Sequence, residues 1–227
     1  MNSLVLELLE CPLFSGIQSL PIAIDQRTLR AVSVSAGQNV FDQDDDSCDV
    51  FFPVKGELLA LQLDSEGREL IFSRINPGGY FGELSAIDLR PRSLSVYAKT
   101  DARLLVLKRT VFSELISSLP LIRDRVLNDL VARIRILTER AYQLTTHNVQ
   151  ERVMSYLVRL ALEAGEFKPN GSLKQVPTHA EIAGTIGANR EAVSRCMSNL
   201  KRDGIVDAGR QRVVILQPDA LLAAESA

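Results

Sequence analysis

Hydrophobic positions change their spacing along the 227-residue chain, and each change marks a different kind of element. Residues 1–30 open with a helical character, Leu4, Leu6, Leu8 and Leu9 preceding Pro12. From Ala31 to about Leu107, short runs rich in Val, Ile, Leu, Phe and Tyr recur roughly every 8–12 residues. Turn-forming clusters separate them: Ala36-Gly37-Gln38-Asn39, Lys55-Gly56 and Asn76-Pro77-Gly78-Gly79. Leu58–Leu63 and Arg68–Ser73 flank the turn Asp64-Ser65-Glu66-Gly67 and predict a hairpin. Many short strands joined by glycine turns imply a β-sandwich or a jelly-roll-like barrel.

From Leu119 the period lengthens. Pro120 fits the first turn of a helix. Leu127, Leu130, Ile134, Leu137, Ala141 and Leu144 follow at spacings alternating between three and four, the narrow seam of helices that pair. Charges lie off that seam, so residues 121–145 predict a helix of about 37 Å that joins a second copy of the chain. Packing of the stripe on its own domain is the alternative. Thr145-Thr146-His147 interrupts the pattern, and Asn148 with Glu151 then starts a new helix through Ala164.

The C-terminal signals are stronger. Thr178 and Glu181 form a Thr-x-x-Glu capping box, Gly187 ends that helix, and Asn189 caps the next, Arg190–Arg202. Two short helices across a glycine turn make a helix-turn-helix. Val193, Cys196, Met197 and Leu200 form the inward face of the second helix, whereas Arg190, Glu191, Ser194 and Arg195 share the outer face near its start. Those are the positions that reach base edges in a major groove, arginine bridging guanine and glutamate accepting from cytosine. Residues 205–216 read as a hairpin with Arg210 at its tip and Arg212 beside it, both suited to phosphates. Thr178 and Asn189, at the two helix starts, complete the expected DNA-binding set; a protein-binding winged helix is the alternative.

Composition narrows the classes. At 46% hydrophobic and 24% charged residues, there is apolar mass enough for cores, which excludes a disordered chain. Residues 1–120 carry 11 basic and 16 acidic side chains, and residues 121–227 carry 15 and 12, a tilt toward a polyanion in the second half. Charge breaks every apolar stretch well short of a membrane span, so no membrane association is expected. The opening Met1-Asn2-Ser3-Leu4-Val5-Leu6-Glu7 lacks a basic flank, so a cytoplasmic protein is expected rather than a secreted one. Cys11, Cys48 and Cys196 are scattered and the histidines are His147 and His179 alone, so no metal, haem or iron–sulfur cluster is expected. Nor does any nucleophile–base pair point to an enzyme.

Residues 77–96 hold the remaining chemistry. Gly82 allows close approach of the backbone, and a short turn after Glu83 would present free N–H groups. Arg92 suits a phosphate, Ser93 adds a hydroxyl, and Glu83 suits a sugar hydroxyl. The set fits a small ligand bearing both a sugar and a phosphate; equally, Glu83 and Arg92 could pair with each other inside a sandwich.

Phe81-Gly82-Glu83-Leu84 and Pro91-Arg92-Ser93 resemble the phosphate-binding cassette of cyclic-nucleotide-binding domains. Asn189-Arg190-Glu191-Ala192-Val193-Ser194-Arg195 resembles the recognition helix of the cyclic AMP receptor/fumarate–nitrate regulator (Crp/Fnr) superfamily, and the order of parts is similar across nearly the whole chain. The resemblance implies an α+β architecture. It comprises a β-roll cyclic-nucleotide-binding domain (1–119), a dimerisation helix and hinge (120–147) and a winged helix-turn-helix domain (148–227). It implies that Glu83 holds the ribose 2′-hydroxyl, that Gly82, Leu84, Arg92 and Ser93 cradle the cyclic phosphate, and that Arg133, Leu137 and Thr138 lie beside the base. Leu137 departs from the polar residue of the catabolite activator, which leaves the base open; cyclic AMP is expected first, cyclic GMP second. The implied function is a homodimeric transcription regulator that binds a palindromic double-stranded operator and acts with RNA polymerase. The alternatives are a regulator that is ligand-independent or gated by another small molecule, and a nucleotide-controlled module acting on a protein partner.

Overall fold

The computed structural model describes residues 3–65, 67 and 69–222. Contacts divide the chain into two compact units, Met1–Arg133 and Ile134–Ala227. The first begins with α1 (Ser3–Leu9) and a 3-10 turn (Pro12–Phe14). There follow β1 (Leu29–Val34), β2 (Asn39–Phe41), β3 (Val50–Lys55), β4 (Leu58–Leu63) and β5 (Glu69–Ile75). Then come α2 (Glu83–Asp88), β6 (Ser95–Ala98), β7 (Ala102–Leu107), α3 (Arg109–Ser118) and the start of α4 (Pro120–Thr146). The strands make two antiparallel sheets, β1-β7-β3 and β2-β6-β4-β5, the β-roll that the resemblance implies, within the sandwich or jelly-roll class expected from the short-strand pattern. The β4–β5 hairpin forms as expected; Glu66 of its turn and Arg68 beyond it, like Met1 and Asn2, lie outside the described residues.

The run Arg103-Leu104-Leu105-Val106-Leu107 explains why one sheet is sealed on both faces. Side chains alternate across a strand. Ala102, Leu104 and Val106 enter the interior of the roll with Phe41, Phe51, Leu58, Phe81 and Val96. Leu105 and Leu107 face the other way, into a helical layer of Leu8, Phe14, Phe112, Leu115, Ile122 and Val126. β7 is the middle strand, so a continuous apolar run is what it needs. Pro53 sits in β3, an edge strand, where its missing N–H costs no ladder bond. Helix α3, which the sequence pattern did not reveal, contributes Val111, Phe112 and Leu115 to this second layer.

The second unit holds the end of α4, then α5 (Val149–Glu163), β8 (Gly171–Lys174), α6 (His179–Ile186), α7 (Arg190–Arg202), β9 (Val206–Gly209), β10 (Arg212–Ile215) and α8 (Pro218–Leu222). Its sheet runs β8-β10-β9, so the expected hairpin gains a third strand. Both expected capping boxes are present: Asn148 and Glu151 exchange hydrogen bonds at the start of α5, and Thr178 and Glu181 do so at α6. One core, including Val153, Leu157, Ile182, Val193, Leu200 and Val213, joins helices to sheet. No helix among the described residues is long and apolar enough to cross a membrane.

Along α4 only Ile122 and Val126 are buried. Of the seam residues, Leu127, Ile134, Leu137 and Leu144 are about half exposed, whereas Leu130 packs on the core of the first unit.

Candidate functional site

In the first unit the chain turns sharply at Gly82, whose φ of 84° is the left-handed region, and then enters α2. A helix stands where a short turn was expected. Gly82 is required twice over: a Cβ there would lie 2.7 Å from Arg92 Nη1 and 2.9 Å from the Asp49 carbonyl oxygen. That turn buries Glu83, which is 1% exposed. Its Oε1 accepts from Arg133 Nη1 at 2.5 Å, and Arg133 Nη2 donates to the Tyr80 carbonyl at 3.3 Å. The Tyr80 hydroxyl in turn donates to Asp129 Oδ2 at 2.9 Å. Two residues of α4, Asp129 and Arg133, are thereby tied to the Tyr80–Glu83 corner of the roll. Burial holds the Glu83 carboxyl above the ordinary carboxylate range, against the opposing pull of the Arg133 and Arg92 guanidinium groups. Burial and the bond to Asp129 push the Tyr80 hydroxyl up.

Arg92 does not pair with Glu83. It is 2% exposed and turned inward. Nη1 donates to the Gly82 carbonyl at 2.8 Å, Nη2 to the Asp49 carbonyl at 2.8 Å and Nε to Ser47 Oγ at 3.1 Å. The guanidinium lies over the Phe41 ring, 4.2 Å from its centroid. The backbone is held too, because Arg92 N donates to the Asp45 carbonyl and Asp44 N donates to the Arg92 carbonyl. One acidic loop, Asp42-Gln43-Asp44-Asp45-Asp46-Ser47-Cys48-Asp49, therefore wraps the arginine. Leu84 and Ser93 are exposed. Leu137 and Thr138 belong to the second unit; both are exposed, and the Thr138 hydroxyl donates to the Ile134 carbonyl of its own helix. A cleft of about 400 Å³ borders Gln38, Phe41, Ser47 and Asp49, but neither Glu83 nor Arg92 lines it.

In the second unit α7 presents its outer face to solvent. Arg190, Glu191 and Arg195 are exposed and Ser194 is half-buried, while Val193, Met197 and Leu200 are sealed beneath. Asn189 Oδ1 accepts from Ala192 N at 2.8 Å and so fixes the start of the helix. Arg210 is exposed in the β9–β10 turn, and Arg212 Nε donates to Ser172 Oγ at 3.3 Å. The elbow between α6 and α7 is Gly187, at φ 64°. A Cβ there would lie 2.8 Å from Leu144 Cδ2 of α4. Arg152 straddles the same place, donating to the His147 carbonyl at 2.8 Å and the Gly187 carbonyl at 3.3 Å.

Ser47, Asp49, Tyr80 and Asp129 were not singled out in the sequence. The signal for the first two is the run of aspartates between residues 42 and 49, dense for a loop that leads into an apolar strand.

Two family descriptions match the chain: a cyclic nucleotide-binding domain over residues 31–118 and a Crp-like helix-turn-helix domain over residues 151–224. The chain is 26% identical over 211 residues to the CRP-like cAMP-activated global transcriptional regulator of Mycobacterium tuberculosis, covering 92% of this chain and 94% of that one. It is 28% identical over 167 residues to the cAMP-activated global transcriptional regulator CRP of Salmonella typhimurium, covering 73% and 80%. FixK2 from Bradyrhizobium japonicum shares the fold, with a TM-score of 0.73 at 20% identity over 88% of this chain and 98% of that one.

Proposed function

We propose that this chain, which belongs to the Crp/Fnr superfamily of DNA-binding transcription regulators, works as a homodimer whose grip on DNA is set by a cyclic nucleotide, cyclic AMP first. The observation that carries this reading is the ion pair between Glu83 of the cassette and Arg133 of α4. A ribose hydroxyl that donates to Glu83 takes over a carboxylate already bound to the long helix, so ligand binding and helix placement share one group. A ligand shifts an equilibrium only through its different affinities for two arrangements, and this shared group supplies such a difference. Arg92, with Gly82, Leu84 and Ser93 around it, receives the cyclic phosphate. Thr138 offers a hydroxyl to the base, and Leu137 an apolar contact.

The half-exposed residues Ile134, Leu137 and Leu144 form the surface that a second copy covers, within residues 121–145. The two α7 helices then enter successive major grooves about 34 Å apart, on a two-fold-symmetric operator whose half-site carries a TGA-like core. Arg190, Glu191, Ser194 and Arg195 read bases there, Thr178 and Asn189 stand at the helix starts facing the duplex, and Arg210 and Arg212 meet phosphates.

The test is a titration of the purified protein with cyclic AMP and, separately, cyclic GMP, read out as affinity for an operator obtained by binding-site selection. A rise of about tenfold or more with one nucleotide is expected; a flat response to both would overturn the ligand assignment. Ile134→Glu should sediment as a monomer, and a persisting dimer would refute the seam. A second reading, a regulator active without ligand, is favoured by the full engagement of Glu83 and Arg92 with protein partners. It requires full operator affinity with neither nucleotide added.

A further inference from the structure

We propose that the acidic loop 42–49 is an autoinhibitory clasp that competes with the ligand phosphate for Arg92. The inference rests on the cyclic-nucleotide reading and adds to it the group that sets affinity. At 2% exposure the guanidinium is covered, and three of its five N–H groups already donate to protein. The acceptors are the Ser47 hydroxyl and the carbonyls of Asp49 and Gly82, with the Phe41 ring against one face. Two of the three acceptors lie on one loop, and the same loop grips the Arg92 backbone through Asp44 and Asp45.

The exchange is unfavourable for the loop. When Arg92 turns to a phosphate, the Asp49 and Gly82 carbonyls lose a charged donor, and a group left without its partner costs more than the bond itself contributed. The loop also carries aspartates at positions 42, 44, 45 and 46, which repel an incoming phosphate, while Asp49 is paired with Lys108. Both effects lower affinity without altering any ligand contact. The fraction of molecules with a free Arg92 thus scales the apparent affinity, and loosening the loop raises it.

The experiment is calorimetric titration of the full-length protein with cyclic AMP and cyclic GMP, for wild type, Ser47→Ala and Asp45→Asn, together with hydrogen exchange of the loop amides. Ser47→Ala removes one acceptor at an exposed position and should bind nucleotide roughly three- to tenfold more tightly than wild type. Asp45→Asn should give a smaller gain that fades as salt is raised. In wild type, saturation with nucleotide should speed exchange at the amides of residues 44–49. Binding by the variants alone would support the clasp in its strongest form. Equal affinities with unchanged loop protection would overturn the clasp and leave the nucleotide reading standing. Absence of binding to wild type and to both variants would instead overturn the nucleotide reading, and the clasp with it.

Discussion

In the cassette of the first unit the charged groups are withdrawn. Glu83 and Arg92 are almost wholly covered, and each already bonds to protein: one to Arg133, the other to Ser47 and two carbonyls. In the second unit the charged face of α7 is displayed. Arg190, Glu191 and Arg195 are exposed, and none of the three forms an ion pair with a described residue. The contrast fits what the proposed function has each region meet. DNA attracts at a distance, and its affinity comes largely from released counterions, so exposed arginines cost little before binding. A buried charge must be paired at all times, because leaving it bare costs several kcal/mol. A small ligand there gains only the difference between its own contacts and the ones it displaces. On the proposed function the α7 face is prepared in advance, whereas the cassette has to exchange partners.

Three substitutions test this contrast. Arg92→Ala should remove about 2–4 kcal/mol of unfolding free energy even without nucleotide, since it strips three acceptors of a charged donor. Denaturant titration measures it, and a loss below about 0.5 kcal/mol would mean that the inward arginine is not a strut. Glu191→Ala should leave stability within about 0.5 kcal/mol, as befits an exposed side chain. It should relax the preference at one base pair by about 1–3 kcal/mol; unchanged selection at every position would contradict the assigned face. Glu83→Gln should have the smallest effect, visible as a pH dependence. The folded protein holds the Glu83 proton more tightly than the unfolded chain does, so this group's contribution to stability is complete at low pH and is lost as pH rises through its elevated folded value. The Gln variant escapes that loss. Its melting temperature should gain on wild type as pH is raised above the ordinary carboxylate range, and parallel curves would show that burial does not tighten the hold of Glu83 on its proton.

Where the determinants are local, the sequence reveals them. Helix α7 spans the predicted residues, Arg190–Arg202, because a cap, a periodic apolar face and a glycine stop all lie within fifteen positions. The capping boxes of α5 and α6 are legible for the same reason. By contrast β8 is four residues long, and its partner β10 follows some forty positions later. Helix α2 hides because Gly82 reads as a turn and a helix start alike. The cassette illustrates the limit most clearly. Its residue types single out Glu83 and Arg92 as candidate ligand contacts, but not whom they bond. Glu83 finds Arg133 fifty residues on, and Arg92 finds Ser47 forty-five residues back. The seam of α4 shows the same division: its period is legible, whereas the docking of Leu130 on the roll depends on the tertiary core.

The elbow at Gly187 carries a mechanical consequence. With Leu144 already occupying the space of a missing side chain and Arg152 bonded both to the elbow and to His147, the last turn of α4 and the bend before α7 move as one piece. On the proposed DNA-reading role of α7, a twist of that final turn would pass through these contacts to the reading helix. A bulkier residue at this elbow would have to hold a left-handed backbone and push the tip of Leu144 aside, so it would disturb both ends of the joint at once.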